Sequence, residues 1–320
     1  MPNVIFFTSL APSTAALLTQ SAPPDFAVTV YPFTLPDAEK ITLLQDADFL
    51  ILFPGRLNET VLRAAAHLKL IQLVSVGFDG IDLALCRELD IPIANNGGTN
   101  AIDVAEHTIA LMLAFYRRLV EMDGAVRANR WSVLDSGATT YTIHGKTVGI
   151  VGLGKIGQRV ARLLTAFGAT IIYYDAYPPA AAVESDLDVK RVAFDQLLQT
   201  ADIVTLHVPL NTETRHLIGA RELTLMKPNA LLINTCRGPV IDEAALTATL
   251  QARRILGAAL DVFAQEPPLP DNPLLHLDNV LFTPHIAGVT VDTWPRRGEF
   301  IFANLQRVWA GQAPLATIEG

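Results

Sequence analysis

Short apolar runs rich in β-branched and aromatic residues recur along the chain, with stretches of helical character between them. VIFFTS (4–9), FAVTVYPF (26–33), DFLILF (48–53), LKLIQLVSV (68–76) and IPIANN (91–96) occupy the first hundred residues. KTVGIVG (146–152), TIIYYD (170–175), DIVTLHV (202–208), ALLINT (230–235), GAALDVF (257–263) and VLFTPH (280–285) follow. Runs that are continuously apolar, instead of alternating with polar residues, predict strands buried on both faces, and therefore parallel sheets covered by helices. The predicted class is α/β, with enough strands for two Rossmann-like parallel sheets. Between the two sets, AIDVAEHTIALMLAFYRRLVEM (101–122) has no internal Gly or Pro and predicts one long helix. The Gly-bearing stretches NNGGTN (95–100) and HIAGVT (285–290) are candidate crossovers between domains, and YPPAAAVESD (177–186) reads as a surface loop.

Length supports the same division: 320 residues are ample for two cores. Half the residues are hydrophobic and 18% are charged, as expected of a globular protein. A net charge of −8 without a basic run gives no electrostatic footprint for nucleic acid. Two cysteines, Cys86 and Cys236, fit a reducing cytoplasm better than a disulfide framework. The longest apolar run, IALMLAFY (109–116), is too short to span a membrane, and the N-terminus lacks the basic start and long apolar core of a secretion signal. No metal-ligand set is assigned.

The most specific motif is KTVGIVGLGKIGQRVARLLTAFGATIIYYDAY (146–177). A strand enters Gly152-Leu153-Gly154-Lys155-Ile156-Gly157, a helix follows to about Phe167, Gly168 is placed to end it, and a second strand stops at Asp175. That is a complete dinucleotide-binding βαβ unit: one glycine for the turn, one for backbone approach to a pyrophosphate, one for helix packing. Asp175 is positioned to accept hydrogen bonds from a ribose diol. Ala176, Tyr177 and Pro178 offer no arginine for a 2′-phosphate, so NAD (as NADH) is expected over NADP.

Three further residues stand at or just beyond the C-terminal ends of predicted strands: Arg237 after LLINT, Glu266 in LDVFAQEPP and His285 in VLFTPHIAG. In open α/β sheets that edge is where ligands bind. A carboxylate beside a histidine favours imidazolium, and an arginine fork grips a carboxylate in two places. Together they suit hydride exchange between a nicotinamide and a small 2-hydroxy acid. Taken singly, each residue could be an ordinary satisfied histidine, a solvated loop acid or a structural ion-pair partner.

SVGFDGID (75–82), NAIDVAEHTIALML (100–113), the glycine loop with Asp175, HVPLNTETRHLI (207–218), INTCRGPVIDEAAL (233–246), ALDVFAQEP (259–267) and TPHIAG (283–288) occur in one order over nearly the whole chain. In this the sequence resembles the D-isomer-specific 2-hydroxyacid dehydrogenase family. The resemblance implies a discontinuous substrate domain (1–99 and 287–320, the latter carrying the helix 294–311) and an inserted NAD-binding domain (100–286), hinged near 99–101 and 286–289. It implies that Arg237 binds the substrate carboxylate, His285 is the general acid/base and Glu266 holds His285 protonatable. By the same resemblance Asp261 receives the nicotinamide carboxamide. Thr235, Cys236, Ala287 and Gly288 lie along the cofactor, Val208 and Pro209 line the adenine pocket, and Lys155 and Ile156 meet the pyrophosphate. Backbone N–H groups of Val76 and Gly77 close on the substrate carboxylate, with Asn100 helping to position them. A homodimer through the cofactor domain is implied as well; the long helix and Trp131 fit such a surface, with intramolecular core almost as good a reading of Trp131.

One departure bears on the substrate. Many relatives carry an arginine nine positions after the histidine, where this chain has Trp294; Arg296 or Arg297 are the nearby substitutes. The loss argues for a smaller or more apolar substrate side chain, among glyoxylate, hydroxypyruvate, pyruvate and 3-phosphoglycerate-like acids. The alternatives are a non-catalytic NAD-sensing protein of the same fold and a dehydrogenase of another small anion such as phosphite.

Overall fold

The computed structural model describes residues 1–65, 67–131 and 136–318. They form two units, residues 1–100 with 289–320 and residues 101–288. Each is built on a parallel sheet.

In the first unit the strands β1 (Asn3–Thr8), β2 (Ala27–Pro32), β3 (Phe49–Phe53), β4 (Leu70–Leu73) and β5 (Ile93–Ala94) are ordered β2-β1-β3-β4-β5. One sheet face packs Phe7, Leu50, Leu52 and Leu73 into a core with Leu62 and Leu85. The other packs Phe6, Phe49 and Ile51 against Trp294, Ile301 and Phe302 of the helix Thr293–Trp309. With helices on both faces, a strand such as Phe-Leu-Ile-Leu-Phe is apolar at every position, which explains the continuous runs. The Thr293–Trp309 helix also approaches the Pro12–Thr19 helix so closely that a Cβ on Gly298 would stand 2.0 Å from the Leu18 carbonyl oxygen.

In the second unit the strands are β6 (Thr147–Val151), β7 (Thr170–Tyr174), β8 (Val189–Arg191), β9 (Ile203–Leu206), β10 (Leu231–Asn234), β11 (Gly257–Leu260) and β12 (Val280–Phe282). Their order is β12-β11-β10-β9-β6-β7-β8, all parallel. The order reverses between β6 and β9, the topological switch point at which doubly wound sheets bind dinucleotides. The helix Lys155–Ala166 starts at Gly154 and ends before Gly168, whose φ of 72° is the left-handed stop that a glycine supplies.

The predicted α/β class and the two parallel sheets are found. Two local expectations are corrected, and one alternative is excluded. The long helix is two: Ala101–Tyr116 ends where the Tyr116 carbonyl accepts the Tyr141 N–H, Arg118 turns left-handed (φ 51°), and Leu119–Arg127 follows. The stretch read as a loop at 177–186 contains the helix Ala181–Leu187, because Val183 and Leu187 pack onto the core beside β7. Trp131 is not core; it is 79% exposed.

Candidate active site

Across the second unit's sheet, every expected cofactor residue from Gly152 to Asp261 lies beyond, or a few residues past, the C-terminal end of a strand. Gly152 follows β6 with φ 95°, and a Cβ there would stand 2.6 Å from the His207 carbonyl oxygen. A Cβ on Gly157 would stand 2.1 Å from the Gly152 carbonyl oxygen, so this glycine lets the helix press onto the turn. Gly154 differs: nothing lies within 4 Å of where its Cβ would be. The open cradle at Gly154, with the N-terminal N–H groups of the Lys155–Ala166 helix beginning there, fits a pyrophosphate. Asp175, just after β7, accepts the Leu153 N–H at 2.7 Å and the Tyr177 N–H at 2.9 Å. An ionised carboxylate has about four acceptor positions, so lone pairs remain for a ribose diol. Val208 and Pro209 follow β9.

No arginine adjoins Asp175 in the sequence, but β8 brings one in space. Arg191 Nη2 donates to the Asp175 carbonyl oxygen at 3.2 Å. The signal was hidden because Val-Lys-Arg is a three-residue, mostly exposed edge strand with no apolar run to announce it.

After β10, Asn234 shapes the next turn. Its Oδ1 accepts the Cys236 N–H at 3.0 Å and its Nδ2 donates to the Arg237 carbonyl oxygen at 2.9 Å. Arg237 Nη1 donates to the Cys236 carbonyl oxygen at 2.7 Å, so part of the guanidinium is held by its own turn. Burial pushes the Cys236 thiol up to about 11, which leaves it an inert neutral neighbour. Gly238 follows because only a hydrogen fits: a Cβ would stand 1.9 Å from the Phe263 carbonyl carbon and oxygen.

Beyond β11 and β12 the two remaining chemical groups meet. His285 Nδ1 lies 2.6 Å from Glu266 Oε2, and Glu266 Oε1 accepts the Phe263 N–H at 3.1 Å. Burial acts to raise the Glu266 pKa, but the hydrogen bond and charge of His285, then the Phe263 N–H and the Arg237 charge, outweigh it and hold the carboxyl below its ordinary value. With Nδ1 engaged, Nε2 is the nitrogen left to exchange a proton. An apolar cavity of about 400 Å³ borders the pair, walled by Phe263, Pro267, Phe282 and Pro284.

Asp261 is fully buried and serves the turn that carries His285. Its carbonyl oxygen accepts the His285 N–H at 2.7 Å, Oδ1 the Ile286 N–H at 2.9 Å and Oδ2 the Ala287 N–H at 2.9 Å. The Thr283 hydroxyl donates to Oδ1 at 2.6 Å. Thr235 is buried, its hydroxyl 3.1 Å from that of Thr108. Gly288 is the last residue of this unit.

In the first unit, the loop after β4 presents Val76 and Gly77. The carbonyl oxygens of Ser75, Val76 and Gly77 accept hydrogen bonds from Asn96 N, Asn95 Nδ2 and Ser75 Oγ. No hydrogen bond from the Val76 or Gly77 N–H group occurs among the described residues. Asn100 Oδ1 is enclosed without a hydrogen-bond partner among the described residues. Trp294 is packed edge-on against Phe53 at 6.4 Å, and the buried Arg297 guanidinium lies 4.9 Å over the Trp294 ring and 3.3 Å from the Val74 carbonyl oxygen.

Comparison with known proteins identifies the family. Residues 109–287 match the family model for the NAD-binding domain of D-isomer-specific 2-hydroxyacid dehydrogenases. A glyoxylate reductase of Thermofilum pendens is 40% identical over 293 residues, covering 88% of this chain and 84% of the relative. A D-3-phosphoglycerate dehydrogenase of Methanocaldococcus jannaschii is 39% identical over 276 residues, covering 86% of this chain and 52% of the relative. The solved structure of a Thermus thermophilus protein superposes with a TM-score of 0.84 at 32% identity, covering 99% of this chain and 100% of that one. The glycine cradle, the Glu266–His285 pair and these likenesses lead to one conclusion: the chain belongs to the D-isomer-specific 2-hydroxyacid dehydrogenases and is an NAD-dependent oxidoreductase exchanging a hydride between 2-hydroxy and 2-keto acids.

Proposed function

We propose that this enzyme reduces glyoxylate to glycolate, or a 2-keto acid little larger to its D-2-hydroxy acid, with Arg237, Glu266 and His285 as its catalytic residues. The observation that carries the assignment is the 2.6 Å bond between His285 Nδ1 and Glu266, which fixes the ring and leaves Nε2 for the substrate. NADH, when bound, supplies the hydride that adds to the keto carbon. Arg237 grips the substrate carboxylate and draws charge from the adjacent carbonyl. As the carbonyl oxygen becomes an alkoxide, His285 delivers its Nε2 proton to it, and Glu266 stabilises the imidazolium beforehand. The reverse direction takes the hydroxyl proton back onto Nε2. Glycine-loop and helix N–H groups at Gly154, Lys155 and Ile156 hold the pyrophosphate, and Asp175 holds the adenosine ribose.

A small substrate is supported by the glyoxylate reductase among the similar proteins and by Trp294. Trp294 stands where many relatives have an arginine, and the nearby Arg297 cation is committed to the Trp294 ring and the Val74 carbonyl oxygen. NADH oxidation against glyoxylate, hydroxypyruvate, pyruvate and larger 2-keto acids tests the reading: kcat/KM is expected to fall as the C3 group grows. Tight NADH binding with no turnover of any keto acid would refute it.

We further propose a cytoplasmic homodimer: Cys86 and Cys236 are both free, as a reducing compartment leaves them. No helix among the described residues is long and apolar enough to cross a membrane. The helix Leu119–Arg127 buries none of its residues, and Leu119, Val120, Val126 and Trp131 are 52%, 68%, 53% and 79% exposed. Apolar exposure of that extent on one helix and its following turn fits association. A molar mass measured by light scattering that stays monomeric at micromolar concentration would refute the dimer.

A further inference from the structure

Two consecutive residues of the helix Ala101–Tyr116 reach two different strand ends. Thr108 Oγ1 donates to the Val104 carbonyl oxygen at 2.7 Å, so at its 3.1 Å contact with Thr235 the Thr235 hydroxyl is the donor. His107 Nε2 lies 3.0 Å from Thr283 Oγ1. The one Thr283 proton is already given to Asp261, so the imidazole must be the donor, from an Nε2–H. Burial lowers the His107 pKa, against the opposing charge of Asp261, and a neutral ring with its proton on Nε2 agrees with that direction.

The donors converge on Asp261, which also holds the turn of the reacting histidine. Asp261 receives the N–H groups of His285, Ile286 and Ala287 on three different oxygen atoms. His285 itself stands at φ 54°, a conformation that side chains other than glycine keep only where the surroundings over-determine it. The Asp261 carboxylate is oriented by Thr283, and Thr283 by His107.

We propose that His107 is a positioning residue for proton transfer: its Nε2–H orients Thr283, Thr283 orients the Asp261 carboxylate, and Asp261 holds the left-handed turn that aims His285. This rests on His285 being the proton donor. His107 lies in a stretch of family-like sequence without a visible role, because its partner is 176 positions away.

The test uses His107→Phe and His107→Gln in the full enzyme, with steady-state reduction of a 2-keto acid and equilibrium binding of NADH and ADP-ribose. The phenyl ring removes the donor; the Gln side-chain amide restores an N–H near the same reach. Displacing a reacting group by a fraction of an ångström predicts a kcat about 10- to 100-fold lower for His107→Phe. ADP-ribose affinity should stay within about twofold of wild type, because the adenosine half is remote from this chain of bonds. His107→Gln should recover most of the lost kcat. Thr283→Val, which removes the middle link without changing side-chain volume much, should reproduce the loss, and the double variant should be no worse than either single one. A wild-type kcat in folded His107→Phe, a Gln variant as impaired as Phe, or a normal Thr283→Val would each overturn the proposal. Full turnover by His285→Ala would instead refute the reading on which it rests, so the two failures are distinguishable.

Discussion

Gly154→Ala separates cofactor binding from folding at one atom. The residue caps the Lys155–Ala166 helix at φ −73° and ψ −164°, an extended conformation open to alanine, and no atom lies within 4 Å of the added Cβ. The folded state therefore bears no clash with residues beyond the adjoining backbone, and restricting the unfolded chain favours folding by about 0.4–1 kcal/mol. Tm should stay level or rise by a few degrees. The methyl group does enter the space where a pyrophosphate approaches the helix N-terminus. Losing one charge-assisted hydrogen bond costs about 1.5–3 kcal/mol, which is about 10- to 150-fold in NADH affinity. Isothermal titration with NADH reads that loss, and adenosine, which lacks the pyrophosphate, should bind as before. Gly157→Ala is the control: its Cβ would lie 2.1 Å from the Gly152 carbonyl oxygen, so backbone must move and overpacking of about 1–3 kcal/mol is expected. That variant should lose both Tm and NADH affinity. Wild-type NADH affinity in Gly154→Ala, or a Tm loss equal to that of Gly157→Ala, would refute the assignment of the cradle.

Arg237→Lys replaces a planar fork by a point charge and should lower kcat/KM for the keto acid by about 10- to 150-fold, the equivalent of one charged hydrogen bond; a change under threefold would exclude two-point anchoring. Asp175→Ser should raise the KM for NADH and admit NADPH, with Arg191 meeting the 2′-phosphate; if Asp175→Ser/Arg191→Ala uses NADPH equally well, Arg191 plays no part. His207 predicts acid sensitivity. Its Nδ1 is enclosed without a hydrogen-bond partner among the described residues, and burial drives its pKa from 6.5 to about 3. The unfolded chain then binds a proton that the folded one refuses, so stability is lost as pH falls from about 6.5 towards 3. Between pH 7 and 5 this amounts to roughly 2 kcal/mol; urea midpoints of His207→Gln should be less pH-dependent by that amount, and an unchanged slope would contradict it.

The features legible in the sequence are those whose physics is local. A strand, a glycine turn, a helix and an acid within thirty-odd residues specify one βαβ unit, and Gly168 ends its helix as expected. The position of Arg237, Glu266 and His285 at strand ends could be read because parallel strands bring all C-terminal ends to one edge. What escaped depends on distant partners. The break after Tyr116 follows from the Tyr141 N–H, twenty-five residues on, which no helical periodicity encodes. Arg191 was missed because β8 has no apolar run, and His107 because its role depends on strand order. Asp261 is a case in between: its place at the end of β11 was legible, but its threefold hold on residues 285–287 was not.

In this enzyme His285 is proposed to pass the proton while the glycine cradle and Asp175 hold the cofactor. Reduction of glyoxylate by NADH deuterated at the transferring C4 position, in wild type and His285→Ala, tests it most directly. Deuterium is expected at C2 of the glycolate formed by wild type, and for His285→Ala a kcat lower by at least about 100-fold with NADH affinity within about twofold. Undiminished deuterium transfer by His285→Ala, or loss of NADH binding in step with activity, would contradict it.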